Sequence, residues 1–303
     1  MATKVFTGGA SDLNWATSGN WSPSGAPANG DDVIFDFNAA TGVNGSDQSA
    51  VTLNSLTILA SFGSSSPGLI LFGSNGTPLK ILITTGKAVR IGDPSNSPTP
   101  AGGSQRINLD VGTSAPIITV ASTATTGVDT GKEVVRIKGV NAAIDVNVLA
   151  GSVGIATDNY SDAATVNNVN VSGVATVNLG AGVTYANLIN NGGQCKVRSA
   201  PSTALIAFSG DIYTTGTYLV PTVTIDGGAV HPQHRAAAGA SITMLNLRGG
   251  GNFDTSVSGE AMTITNFSFR KGSITAFSDS QLTFTNNAAL DFDANNKWSG
   301  QNS

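Results

Sequence analysis

The chain has 303 residues, of which 11% are charged, against about 25% in ordinary soluble domains. Hydrophobic residues make up 40% and the formal net charge is −4, so the composition supports a folded core and excludes charge-driven disorder. The mild acidity argues against a nucleic-acid partner, and no apolar run reaches the roughly 18 to 20 residues of a membrane-spanning helix.

Residues 1–40 form the first region. The opening Met1-Ala2-Thr3-Lys4-Val5-Phe6-Thr7 has no apolar core segment, so no Sec-type export signal is expected. Two of the three tryptophans, Trp15 and Trp21, lie here, followed by a Pro/Gly-rich link from Ser22 to Pro27 and a predicted strand, Val33-Ile34-Phe35. A pile of strands leaves its first edge open to pairing with any other chain, and a bulky aromatic cap closes it. Residues 1–40 are therefore read as a cap and attachment arm, with Trp15, Trp21, Pro23 and Pro27 as candidate interaction residues. Asp31, Asp32 and Asp36 carry oxygen ligands of the kind calcium takes. The favoured reading has them capping turns and blunting a strand edge, so no metal site is predicted.

Residues 41–164 are rich in short alternating runs, such as Leu79-Lys80-Ile81-Leu82-Ile83, Val134-Val135-Arg136-Ile137-Lys138 and Ile144-Asp145-Val146-Asn147-Val148. Period-2 alternation predicts strands with one buried face. These strands show no clean repeat, so the region reads either as irregular rungs or as a separate β-domain. Residues 92–104 read as a long exposed loop.

Residues 165–303 do repeat. Val223-Thr224-Ile225-Asp226-Gly227-Gly228, Leu245-Asn246-Leu247-Arg248-Gly249-Gly250 and Phe267-Ser268-Phe269-Arg270-Lys271-Gly272 each follow the last by 22 positions, with apolar residues first and third. Val230, Phe253 and Ile274 supply a second apolar position, and Leu290-Asp291-Phe292-Asp293 comes one residue short of the register. A period of this length with strand–turn–strand content marks a β-solenoid. The predicted fold is all-β: a parallel β-helix, or β-solenoid, with an aromatic N-terminal cap, Val223 over Leu245 over Phe267, and Ile225 over Leu247 over Phe269. Glycine after each strand is expected to supply the positive φ of a tight corner. Trp298 is a matching C-terminal cap candidate. The alternative is a set of β-sandwich modules with coincidental spacing.

Candidate chemistry is sparse. His231 and His234 have an H-x-x-H spacing beside Arg235, in a predicted loop over 231–241, but zinc requires a third ligand and none lies nearby. These three residues are read as a contact surface. Asp291 and Asp293 share one strand face, the geometry of a carboxylate pair. Arg248 and Arg270 fall at the register of Asp226, and a solvent-facing charged ladder is the favoured reading. The single Cys195 is read as a small core residue. No nucleophile elbow, phosphate loop or C-x-x-C occurs. The chain is read as a non-enzyme without a cofactor.

The string Asn14-Trp15-Ala16-Thr17-Ser18-Gly19-Asn20-Trp21-Ser22-Pro23, leading to Pro27-Ala28-Asn29-Gly30-Asp31-Asp32-Val33-Ile34-Phe35, resembles the opening of bacterial autotransporter-type β-helix passengers. The resemblance implies a parallel β-helix entered through an aromatic turn. The expected absence of an export signal and of a C-terminal membrane barrel departs from that family. In composition the chain also resembles the Gly/Ser/Thr/Asn/Val-rich decoration and fibre proteins of tailed phages. That likeness implies a structural protein of a phage virion assembled in the host cytoplasm: a capsid decoration (cement) or head-fibre protein. Its expected partners are the major capsid protein or other virion proteins, with a homotrimer as the expected assembly. One alternative is a receptor- or glycan-binding tail fibre or bacterial adhesin at the cell surface. Another is a polysaccharide-degrading tailspike using Asp291 and Asp293.

Overall fold

The computed structural model describes residues 1–36, 43, 45, 47–59, 70–72, 79–92, 106–121, 135–157, 163–215, 219–232, 240–256, 261–275, 282–286 and 289–290. Among the described residues the fold is all-β. The one helical turn among the described residues is a 3-10 turn at Ser18–Asn20. The chain divides into two compact units, Met1–Tyr185 and Ala186–Ser303.

The first unit contains β1 (Thr3–Phe6), β2 (Trp21–Ser22), β3 (Asp32–Phe35), β4 (Asp47–Leu53), β5 (Ser55–Ile58), β6 (Ile70–Phe72), β7 (Leu79–Ile83) and β8 (Ala88–Gly92). It continues with β9 (Arg106–Asp110), β10 (Ile117–Ala121), β11 (Val135–Ala150), β12 (Ser152–Ile155), β13 (Ala164–Ser172) and β14 (Thr176–Leu179). The division between units falls inside β15 (Val183–Val197). The second unit holds β16 (Pro201–Thr214), β17 (Leu219–Ile225), β18 (Ala229–Pro232), β19 (Ala240–Leu247), β20 (Gly251–Asp254), β21 (Met262–Phe269), β22 (Gly272–Thr275), β23 (Leu282–Phe284) and β24 (Ala289–Leu290).

The alternating Val, Ile, Leu and Phe positions explain why these segments are strands and how they pair. In the first unit β1, β3, β5, β8, β10, the C-terminal half of β11 and β13 form one parallel ladder. It aligns Val33, Leu56, Val89, Ile118, Val146 and Val169 in one row, every one of them fully buried. A second parallel ladder runs through β4, β7, β9, the N-terminal half of β11, β12 and β14. Its row Leu109, Ile137, Ile155 and Leu179 is also buried. Each aliphatic side chain so buried contributes about 1.5–3 kcal/mol relative to exposure. No disulfide is possible within a chain with one cysteine, so such rows carry the stability.

The second unit contains the predicted register. Val223 pairs with Leu245 and Leu245 with Phe267; Ile225 pairs with Leu247 and Leu247 with Phe269, all in parallel. Leu290 follows Phe269, and Val230, Phe253 and Ile274 form the second row.

Two expectations need correction. At the corners, Gly249 does have φ +62, but Gly227 and Gly228 are not among the positive-φ residues. Gly227 is needed for space, because a Cβ there would stand 2.7 Å from the Phe208 carbonyl oxygen. The second correction concerns Arg136. Alternation predicts that it faces water, yet it is only 6% exposed. Asn108, Gly154 and Asn178, its row neighbours on β9, β12 and β14, are buried as well. Both faces of this sheet are covered, so a polar residue at every second place does not mark a wet face there.

Candidate functional site

Four aromatic rings cluster near the N-terminus. Phe6 and Phe35 lie at paired positions of β1 and β3, and Trp21 faces Phe6 across the antiparallel β1–β2 pair. The Trp15 ring centroid lies 5.0 Å from that of Trp21 and 5.9 Å from that of Phe35. Phe6 stands 5.1 Å from Trp21 and 5.2 Å from Phe35, so the rings pack edge-on or tilted, as ring quadrupoles prefer. All four are buried. The Trp21 indole N–H donates to the Trp15 carbonyl at 2.7 Å.

The loop between β1 and β2 is held by Asp12. Its carboxylate accepts from the Thr17 hydroxyl at 2.7 Å, the Asn14 backbone N–H at 3.0 Å and the Asn20 amide at 2.6 Å. The Thr17 hydrogen bond, then that of Asn14, lowers the Asp12 carboxyl to about 2. Asn20 is fully buried and its side chain also accepts from the Ala10 N–H and donates to the Asn14 carbonyl.

Asp31 plays the same part at the start of β1. It accepts from the Ala28 N–H at 3.0 Å and the Ala2 N–H at 2.7 Å. The Ala28 bond outweighs burial, and with the Ala2 bond and the nearby positive charges of the N-terminus and Lys4 it holds the carboxyl below its usual range. Buried Lys4 donates from Nζ to the carbonyls of Pro23 and Ser24, each at 3.1 Å. Asp32 accepts from the Asn54 amide at 2.7 Å and from the Ser55 hydroxyl. Asp31 and Asp32 therefore tie turns and strands together, and Asp36 is exposed. No group of three or more metal-ligating side chains occurs among the described residues.

Of the N-terminal interaction candidates, Trp15, Trp21 and Pro27 are buried. Pro23 is exposed, between exposed Ser22 and Ser24, on a turn that Lys4 fixes from below.

His231 is not in a loop. It lies on β18, next to buried Pro232, and its side chain is 15% exposed. Its Nε2 faces Asp211 Oδ1 of β16 at 3.1 Å and its Nδ1 faces Asp254 Oδ2 of β20 at 3.3 Å. The ring stacks on Tyr213, its paired residue on β16, with centroids 4.6 Å apart and planes 12° off parallel. Burial opposes ionisation of Asp254, but hydrogen bonds from Ser256 and the His231 charge prevail, so its carboxyl sits below the ordinary value. Sequence reading paired His231 with His234 and missed both aspartates. They stand 20 residues before it and 23 after it, about one strand step away. Of the predicted loop 92–104, Gly92 ends β8; its remaining residues, His234, Arg235, Asp291, Asp293, Trp298 and 233–239 of the second loop lie outside the described residues.

Arg248 and Arg270 are exposed at successive positions beyond Leu247 and Phe269, and Asp226 occupies the same place after Ile225. Several water-facing positions carry neutral side chains that join strand to strand. Asn147 accepts from the Asn170 amide at 2.9 Å, Thr224 accepts from Asn246 at 3.3 Å, Asn252 accepts from Ser273 at 3.0 Å, and Asn266 accepts from Asn286 at 2.7 Å. Cys195 is fully buried, and burial pushes its thiol far up, which leaves it no thiolate with which to react. A cavity of about 10 Å³ inside the second unit, lined by Leu205, Val223, Val230, Phe253 and Met262 among others, is at most water-sized.

No family model, no curated protein and no solved structure matches the chain.

Proposed function

We propose that the chain is a β-solenoid whose role is structural: a phage virion protein of the capsid decoration or head-fibre kind, acting as a homotrimer on the capsid surface. The observation that carries the solenoid reading is the set of parallel rows, in which strands about one turn apart in sequence pair side by side in both units. The pairing of β1 supports it: β3 pairs with one edge of this strand and the short β2 covers Val5 and Phe6 on the other, so part of the first edge is spent.

The surface supports the structural role. Rows of Asn, Ser and Thr already hydrogen-bonded from strand to strand present a sparsely charged face. Such a face packs on a protein lattice with little desolvation of charge. The exposed turn at Ser22, Pro23 and Ser24, fixed by Lys4, is the proposed attachment point to the major capsid protein. Closed threefold assembly suits a site of like symmetry on a shell.

The test is where the chain goes. Antibodies against the purified chain are applied to particles released by lysis of cells that carry its gene. Label spread over the heads is expected. Label confined to tail tips would favour the receptor- or glycan-binding alternative, and label on the cell envelope alone would overturn the virion assignment.

A further inference from the structure

His231 stands between two carboxylates supplied by the strands on either side of its own. From β16 it meets Asp211 and the Tyr213 ring, and from β20 it meets Asp254. These are the titratable groups that face it among the described residues. The partners lie at 3.1 and 3.3 Å, one on each ring nitrogen. An imidazole donates from both nitrogens only when it carries its proton; the neutral ring has one N–H and one lone pair. With the proton gone, one of these contacts sets a lone pair against a carboxylate oxygen.

We infer that Asp211, His231 and Asp254 form a proton-dependent clasp that ties three successive strands of the second unit, β16, β18 and β20, together under mildly acidic conditions and loosens as the pH rises. The Tyr213 ring holds the imidazole upright between the two carboxylates, and its face adds a favourable contact to the cationic ring. Asp254 is only part-exposed and its Oδ1 is already engaged by the Ser256 N–H at 2.9 Å, so it stays in place with Oδ2 toward the ring. Asp211 is the more exposed partner, at 44%, and is the one that solvent can replace. The clasp releases one proton to solvent when it opens at the ring, and no other bond changes.

The direction follows from the donors. The bonded form holds the proton, so the stability it adds is present while the ring is charged and is lost when the ring gives that proton up. The Asp254 carboxyl, held low, keeps its charge as that happens.

Thermal unfolding of the full chain is compared between about pH 5 and about pH 8, the range in which imidazoles change charge. The native chain and H234Q are expected to lose about tenfold more in folding equilibrium constant over this range than H231Q, the scale of one charge-assisted hydrogen bond. D211N, which keeps the ring but removes one carboxylate, falls between them. An equal pH response in the native chain and H231Q overturns the clasp. Should H231Q fail to fold, the ¹⁵N signals of the native rings decide. Both nitrogens of His231 protonated at about pH 5, with their signals moved by D211N, supports the clasp, and signals that D211N leaves unchanged overturn it.

Discussion

The two units share one packing rule and differ in how the chain obeys it. In the first, the buried row from Val33 to Val169 advances by 23, 33, 29, 28 and 23 positions. In the second, the row through Leu205, Val223, Leu245 and Phe267 advances by 18, 22 and 22. The row is kept and the length between its members is free. Lengthening a surface connection costs little, since each doubling of a flexible loop adds only about 0.6 kcal/mol. Misplacing one row member costs its whole burial. Selection for stability therefore acts on the row, and a regular period is an optional consequence of short corners.

The sharpest test of that equivalence places a charge in each row. Leu56→Asp in the first unit and Leu247→Asp in the second should each unfold the unit that holds it, as a fully buried unpaired carboxylate costs several kcal/mol. Circular dichroism melts that show one variant near native would break the comparison. Next in size is Phe35→Ala, which removes a ring from the Phe6, Trp15, Trp21 cluster. A loss of about 3–5 kcal/mol is expected, read by tryptophan fluorescence in a denaturant series.

Smaller effects separate the corners from the long connections. Gly249→Ala forces a left-handed residue and drives a Cβ into the Asp226 carbonyl. Its cost should exceed about 1 kcal/mol, whereas a six-residue Gly/Ser insertion after Ser97, in the stretch whose sequence predicts a loop, should cost less than that. Equal costs by chemical denaturation would mean that corner and connection are constrained alike. The smallest effect is at low pH. The Asp12 carboxyl lies at about 2 in the folded chain, below its unfolded value, so its contribution is present above about pH 4 and is lost as the pH falls toward 2. Asp12→Asn should flatten the acid limb of the first unit's stability curve, and an unchanged limb would show that the Thr17 and Asn14 bonds do not hold the loop.

How much of this was legible in the sequence depends on distance. Ile225, Leu247 and Phe269 could be aligned because two equal steps repeat by eye. Leu56 and Val89 are row neighbours too, but 33 residues apart, and no local pattern links them. The aromatic cluster was legible because Trp15 and Trp21 are rare, bulky and close together. Arg136 misled, since alternation reports side-chain direction and not what covers the face it points to. His231 misled for the opposite reason: its partners are near in space and one strand step away in sequence, whereas the spacing to His234 caught the eye.

The pairing of β1 has a consequence for synthesis. The residues of β1 and β3 leave the ribosome before those that lengthen their ladder. Val33 to Phe35 pair with β1, Leu56 to Ile58 with β3, Val89 to Ile91 with β5, and Ile118 to Val120 with β8. Each newly emerged strand of this ladder thus finds its template already made, and the ladder offers one growing edge at a time.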